Sequence, residues 1–387
     1  MGVWTLGAVG DVFVNRKKPN DAFFGSNDLL HKIDVVFGNC EGVFTDHPHF
    51  APSSGWQVIA PKLNGSALGE AGFDVMAVAN NHIIDAGHEG LADTLNLLHS
   101  QGIKTVGAGA NLAEATAAAV VEQHGTRIGF LGFSSVYPVG YDARRSKPGL
   151  AAMRVHSHYF IPEWSYGHVE PGVVPAVRTF PFPEDVELLK SLIRDLRSRV
   201  DVVVVSHHWG QAARPVYLTE YERTLGRISI EAGADVVLGH HHHFLRGIEF
   251  HEGKPIFYGL GHFVFDLPGL DVIHNGHELE KLKAIGEYAI YPREGFPLSP
   301  FHPDARMTMV AACDFEGPEM ISVGFFPCLI NEENHAMPLK VDDSRAQEIV
   351  DYMSRIGGEV DFETCYSPIL ERSGLAYSRA TRGRRVG

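Results

Sequence analysis

Five short polar groups in this 387-residue chain carry residue types that bind metal ions and move protons, and each follows directly on an apolar run. Asp11 follows Trp4-Thr5-Leu6-Gly7-Ala8-Val9 in Gly10-Asp11. Asn39 and Glu41 follow Asp34-Val35-Val36-Phe37. Asn80, Asn81, His82 and Asp85 follow Asp74-Val75-Met76-Ala77-Val78-Ala79. His207 and His208 follow Asp201-Val202-Val203-Val204-Val205-Ser206, and His240-His241-His242-His243 follow Val236-Val237-Leu238-Gly239. Carboxylates, amide oxygens and imidazoles together suit a divalent Mn, Fe or Zn ion, one or two per chain. Such an ion generates a hydroxide-like nucleophile near neutral pH, and a nearby histidine can protonate a leaving group. Cys40 is the one thiol among these groups, so a structural zinc knot is not expected.

Each group alone has a plainer explanation. Asp11 and Glu41 could be caps or turn residues after strands, and Asn81-His82 an Asx-type turn. Two histidines beside Trp209 at a buried strand end need partners, and of four consecutive histidines only a subset can face one point. Their joint occurrence after five apolar runs is what points to a metal.

The elements that must position these groups alternate. Strands are predicted at 4–9, 34–37, 74–79, 104–106, 127–133, 201–206, 234–238, 255–258 and 263–265. Helices are predicted at 62–71, 90–101, 184–199, 221–232 and 346–356, and a late strand pair within 307–326. In the helix over 184–199, Val186, Leu189, Ile193, Leu196 and Val200 repeat at helical spacing. Gly102 and Gly233 stand where C-terminal caps belong. This alternation implies α/β architecture with a largely parallel sheet flanked by helices. The carboxyl ends of parallel strands share one edge, so residues between positions 11 and 243 converge there. Segments 137–183 and 267–303, rich in Pro, Gly and aromatics, are expected as long loop insertions over one rim. The reading is a single domain over 1–360, then a C-terminal tail, 361–387, whose basic end (Arg379, Arg382, Arg384, Arg385) is expected to be solvated.

Composition narrows the partners. Lys+Arg number 33 against 47 Asp+Glu, a net charge of −14, which disfavours nucleic acid and anionic membranes. The expected partner is a small-molecule substrate, with a homo-oligomer possible. Four scattered cysteines form no disulfide framework. No apolar run approaches the ~18 residues that span a bilayer. Met1 to Val9 leads straight into a strand with no leader pattern, so a cytoplasmic protein is expected.

The runs Ala79-Asn80-Asn81-His82 with Asp85 and Gly87, His208-Trp209-Gly210, and Gly239-His240-His241-His242-His243 resemble the CapA proteins of poly-γ-glutamate capsule synthesis. So do the stretches Gly253 to Asp266 and Gly102 to Ala115. The resemblance covers about Trp4 to Ile356 and implies a four-layer α/β-β/α sandwich of the calcineurin-like metallophosphoesterase kind. It points to Asp11, Glu41, Asn81, His208, His241 and His243 as metal ligands, with Glu41 bridging. His82, Asp85 and His208 are the implied catalytic residues, His82 as the acid. A histidine expected two residues after Asp11 is Phe13, which makes one metal an alternative to two. His242 stands where a proline is usual, His262 where an asparagine is usual and Arg246 where a glutamine is usual. Arg246 and His262, with Arg154, are the candidate substrate contacts.

The implied function is a metal-dependent hydrolase acting on a small anionic substrate at an amide, lactone or ester bond. Two alternatives stand beside it: a non-catalytic accessory protein in poly-γ-glutamate capsule synthesis, and a phosphoesterase.

Overall fold

The computed structural model describes residues 2–51, 56–161, 172–212, 216–269 and 277–383. Two large sheets are stacked face to face. In the first, Val3–Phe13 is central, parallel to Val35–Cys40, which continues to Val75–Ala77 and Lys104–Val106, all parallel. On its other side Val3–Phe13 pairs antiparallel with Met307–Glu316, and its last residues pair parallel with His262–Phe265. Glu319–Ile330 and Leu375–Arg382 extend that side. The second sheet runs Ile248–His251, Lys254–Phe257, Val236–His240, Val202–His208, Thr126–Ser134, Ala119–Gln123. Its four inner strands are parallel and its two edges antiparallel.

The strand Val202–His208 shows why the sequence builds layers. Successive side chains of a strand point to opposite faces. Val202 and Val204 enter the core between the sheets, while Val203 and Val205 enter an outer core with Leu189, Ile193, Leu196, Leu225 and Ile230 of two helices, Pro183–Arg197 and Glu220–Ala232. Both faces are buried, so the run is apolar throughout. Between the sheets, Trp4, Leu6 and Phe37 meet Phe130, Val236 and Leu238, and the Phe37 and Phe130 rings stack at 5.7 Å. On the outer face of the first sheet, Leu68, Leu91 and Leu98 come from helices Lys62–Glu70 and Gly87–Ser100. The layers are helix, sheet, sheet, helix, as the resemblance implies.

Three expectations are corrected. There is no single, largely parallel sheet: two mixed sheets share the strands. The residues expected as a solvated tail contribute Thr364–Tyr366, Leu370–Arg372 and Leu375–Arg382, with Ala376, Tyr377 and Ala380 buried. Small and apolar residues there alternate in part with Arg379 and Thr381, a half-buried strand pattern that outweighs the local basic charge. Arg384 and Arg385 lie outside the described residues. Segment 137–183 is also no plain loop, since Val155–Phe160 and Ala176–Pro181 pair as an antiparallel ribbon. Within 267–303, His277–Ile285 is helical.

Candidate metal centre

The carboxyl ends of the central strands of both sheets meet at one edge. Asp11 lies inside its strand, where the pairing register shifts between Ala8 and Asp11. Gly10 allows this close approach, because a Cβ there would strike the Gly261 carbonyl. Glu41 follows Val35–Cys40, His208 ends Val202–His208, and His241 to His243 turn away from the end of Val236–His240. Possible ligand atoms of Glu41, His208 and His241 lie within 4.8 Å of one another, as do those of Asp11, Glu41 and His243. Glu41 belongs to both groups.

Glu41 is fully buried, and among the described residues no N–H or hydroxyl donates to either carboxylate oxygen; its one hydrogen-bonding neighbour is the Asp11 carboxyl, with which it can share a proton. Its nearest imidazole nitrogens are on His208, 3.5 Å from Oε1, and His243, 3.9 Å from Oε1. A bare carboxylate in such a place is costly unless a cation or proton neutralises it. Burial, then the charge of Asp11, push the Glu41 pKa well above the carboxylate range. Burial likewise raises Asp11 to about 7, although Asn39 donates to its Oδ1 at 2.8 Å and the His241 amide to its Oδ2 at 3.2 Å. Burial depresses His241 to about 3 and holds His208 and His243 well below 6.5, so all three are neutral and can ligate. Two acidic groups, neutral imidazoles and orphaned buried oxygens form a donor set that fits a divalent transition ion.

Asn81 places its side-chain oxygen 2.7 Å from His208 Nε2. The turn that presents it is built by Asn80, whose amide donates to the Cys40 carbonyl at 2.8 Å and whose oxygen accepts from the His82 amide at 3.1 Å. His82 pairs through Nδ1 with Asp85 Oδ2 at 2.7 Å. Asp85 also accepts from the Val58 amide at 2.8 Å and from the Tyr141 hydroxyl at 3.0 Å. Asn81 and His82 keep partial exposure, whereas Asp11, Glu41, His208 and His243 are buried, so the open side of the centre is on the Asn81-His82 turn.

The four-histidine run divides its work. His240 is a core residue whose Nε2 lies 3.3 Å from the Val9 carbonyl, tying the two sheets together. His241 and His243 join the two ligand groups. His242 points elsewhere, to Glu222 at 2.8 Å. His207 likewise stays in the core, stacked on Trp209 at 4.7 Å.

The expected substrate contacts are not on the open side. Arg246 is buried, and its guanidinium donates to the Tyr217 and Gln211 carbonyls at 2.9 and 3.1 Å. His262, also buried, lies in an aromatic wall with its ring 4.8 Å from Phe301 and 5.8 Å from His243. Arg154 is committed to Asp185 at 2.7 Å and lies over the Phe182 ring. Arg246 and Arg154 thus already hold polar partners, whereas neither ring nitrogen of the buried His262 has a hydrogen-bonding partner among the described residues. Tyr141 and Glu222 were not identified from sequence. Nothing in the sequence marks Tyr141, and Glu222 shows only as the last residue of a Thr219-x-x-Glu222 capping box.

The family model described as "Bacterial capsule synthesis protein PGA_cap" matches residues 5–267. The chain is 30% identical over 275 residues to the PGA biosynthesis protein CapA of Bacillus subtilis, covering 67% of this chain and 62% of that protein. It is 35% identical over 253 residues to a probable polyglutamine synthesis accessory protein of Mycobacterium tuberculosis, covering 63% of this chain and 58% of that one. The chain thus matches about three fifths of the length of these curated relatives. Among solved structures, a hypothetical protein from Thermus thermophilus is 16% identical with a TM-score of 0.45, covering 84% of this chain and 98% of its own. The calcineurin-like phosphoesterase YfkN of Bacillus subtilis is 12% identical with a TM-score of 0.36, covering 93% of this chain and 99% of its own. Among the described residues no helix is long and apolar enough to cross a membrane.

Proposed function

We propose, from the premise that this chain belongs to the bacterial capsule synthesis protein family PGA_cap, that it is a metal-dependent hydrolase of a small anionic substrate. The observation that carries the reading is Glu41: a buried carboxylate that no N–H or hydroxyl among the described residues satisfies, set against a second buried carboxyl, Asp11, and shared by two groups of possible ligands. In this reading Asp11, Glu41, Asn81, His208, His241 and His243 hold one or two divalent ions. A bound ion supplies an activated water and a positive centre for a substrate oxygen. His82, oriented by Asp85, exchanges a proton with the leaving group through Nε2. With Arg246 and Arg154 engaged elsewhere, the anionic group of the substrate depends on the centre itself for neutralisation. The four free cysteines, Cys365 among them exposed, suit a reducing compartment, and the proposal places the reaction in the cytoplasm.

The second reading, a non-catalytic accessory of polyglutamate synthesis, draws on the word "accessory" in the Mycobacterium tuberculosis relative's name. One experiment separates the two. Purified protein is analysed for bound metal, then screened with Mn²⁺ and Zn²⁺ against phosphoesters, γ-glutamyl amides and lactones. Hydrolysis that disappears in His241→Ala and Glu41→Ala, both still folded, supports the enzyme. Metal uptake without turnover of any class supports the accessory role. Full activity in both variants defeats the site assignment.

A further inference from the structure

The turn that carries His241 and His243 is held in an uncommon shape. His241 has φ 93° and His243 φ 59°, both in the left-handed region that side chains other than glycine rarely adopt. Such geometry persists only where the surroundings over-determine it. Between the two lies His242, whose buried ring places Nε2 2.8 Å from Glu222 Oε1. Glu222 is equally buried and sits in the first turn of the helix Glu220–Ala232. Its other oxygen accepts from the Thr219 amide at 2.8 Å and the Thr219 hydroxyl at 2.5 Å, so the backbone contact alone holds the carboxylate at the helix end when the hydroxyl is removed. The helix in turn is packed through Tyr221, Leu225 and Ile230 into the outer core. Gly210, at φ 82°, faces the pair so closely that a Cβ would strike both His242 Nε2 and Glu222 Oε1.

We infer that Glu222 is a positioning residue of the metal centre, acting through His242 to hold His241 and His243 in ligating position. This rests on the metal-site reading above. Glu222 touches neither ligand group. Its role is mechanical: a rigid helix end grips the middle residue of a three-residue turn, and the flanking imidazoles are aimed by that grip. The Thr219 contacts belong to the same carboxylate but serve the helix cap, which makes the two roles separable.

The test measures Zn²⁺ affinity of the full chain by competition with a chelating dye, beside its thermal midpoint. Glu222→Ala is expected to weaken Zn²⁺ binding by roughly 10–100-fold, the range for groups that orient ligands. Thr219→Val, which removes the hydroxyl of the cap and spares the His242 contact, is expected to lower the midpoint and leave affinity within about 2-fold of wild type, far short of that effect. Glu222→Gln, whose oxygen can still accept from the Thr219 amide while its NH2 donates to an unprotonated His242 Nε2, is expected to restore much of the affinity. A folded Glu222→Ala protein with wild-type affinity overturns the inference, as does an equal loss in Thr219→Val. Should Glu222→Ala fail to fold, His242→Asn, too short to span the same gap, replaces it with the same expected loss, and unchanged affinity overturns the inference. Wild-type protein that takes up no Zn²⁺ overturns the metal-site reading itself, and this inference with it.

Discussion

Glu41→Gln should make the metal-free protein more stable while abolishing what metal adds. Both Glu41 oxygens are buried without an N–H or hydroxyl donor among the described residues, and the neighbouring Asp11 has a pKa raised from 3.8 to about 7. Burial therefore makes it costly to keep that carboxyl charged in the fold beside a second acidic group. A glutamine removes the second acidic group and offers an amide that can donate to Asp11. The expected gain at pH 8 in the presence of a chelator is about 1–3 kcal/mol, the usual cost of a buried unsatisfied polar group. Metal reverses the comparison. Mn²⁺ at 1,000 times its Kd stabilises a binding protein by about 4 kcal/mol, and the variant should lose most of that. Urea unfolding of both proteins, with chelator and with Mn²⁺, measures all four values. A variant less stable than wild type in chelator, yet stabilised equally by Mn²⁺, would show that Glu41 is an ordinary core residue and refute the reasoning.

The other predictions concern groups around the centre. Tyr141→Phe removes the hydroxyl that donates to Asp85 and should slow hydrolysis on the order of 10-fold with metal content unchanged; rates equal to wild type on an active substrate would dismiss the contact. His207 and His240, buried and depressed to about 3 and about 4, are neutral in the fold, while the unfolded chain protonates them near 6.5. Their stabilising effect is therefore complete above pH 6.5 and is lost as pH falls toward their folded values, at about 1.4 kcal/mol per pH unit each. In chelator, His207→Gln should flatten the dependence of unfolding free energy on pH by about that amount between pH 6 and 4, and an unchanged slope would contradict the burial argument. Arg154→Ala, at a half-exposed ion pair with Asp185, should change stability by no more than about 1 kcal/mol and leave KM for an active anionic substrate intact; a large rise in KM would return Arg154 to the site.

What the sequence made legible was the set of strand-end residues, because strand period and residue chemistry are both local properties. The valine strand, the helix Pro183–Arg197 and the polar groups holding Glu41, His208 and the four histidines needed no tertiary information to be singled out, whereas the choice of His241 and His243 within that run came from the family resemblance alone. The splitting of strands between two sheets did not follow from the alternation itself. A strand buried on both faces reads the same whether its neighbours are helices or a second sheet, and only the pairing of Val202–His208 with Thr126–Ser134 rather than with Val3–Phe13 decides it. Contacts such as Tyr141 with Asp85, 56 positions apart, leave no periodic trace. Arg246 misled for a related reason. An arginine beside a metal-type motif suggests an anion, but two backbone carbonyls from a neighbouring loop can satisfy a guanidinium equally well.

Four adjacent histidines with four different surroundings show how far residue type falls short of role. His240 still belongs to its strand, so its ring enters the core between the sheets and reaches the Val9 carbonyl. At His241 the backbone leaves the strand with positive φ, and the ring swings to Glu41 and His208. His242 turns to Glu222, and a second positive φ at His243 brings the next ring to Asp11 and Glu41. Backbone direction, not imidazole chemistry, selects the two that can ligate. The same logic explains why the other two are not spare copies: His240 ties the start of the turn to the opposite sheet, and His242 ties its middle to a helix. A centre built this way should tolerate exchange of one metal for another of similar size more readily than any shift of the turn that aims its imidazoles.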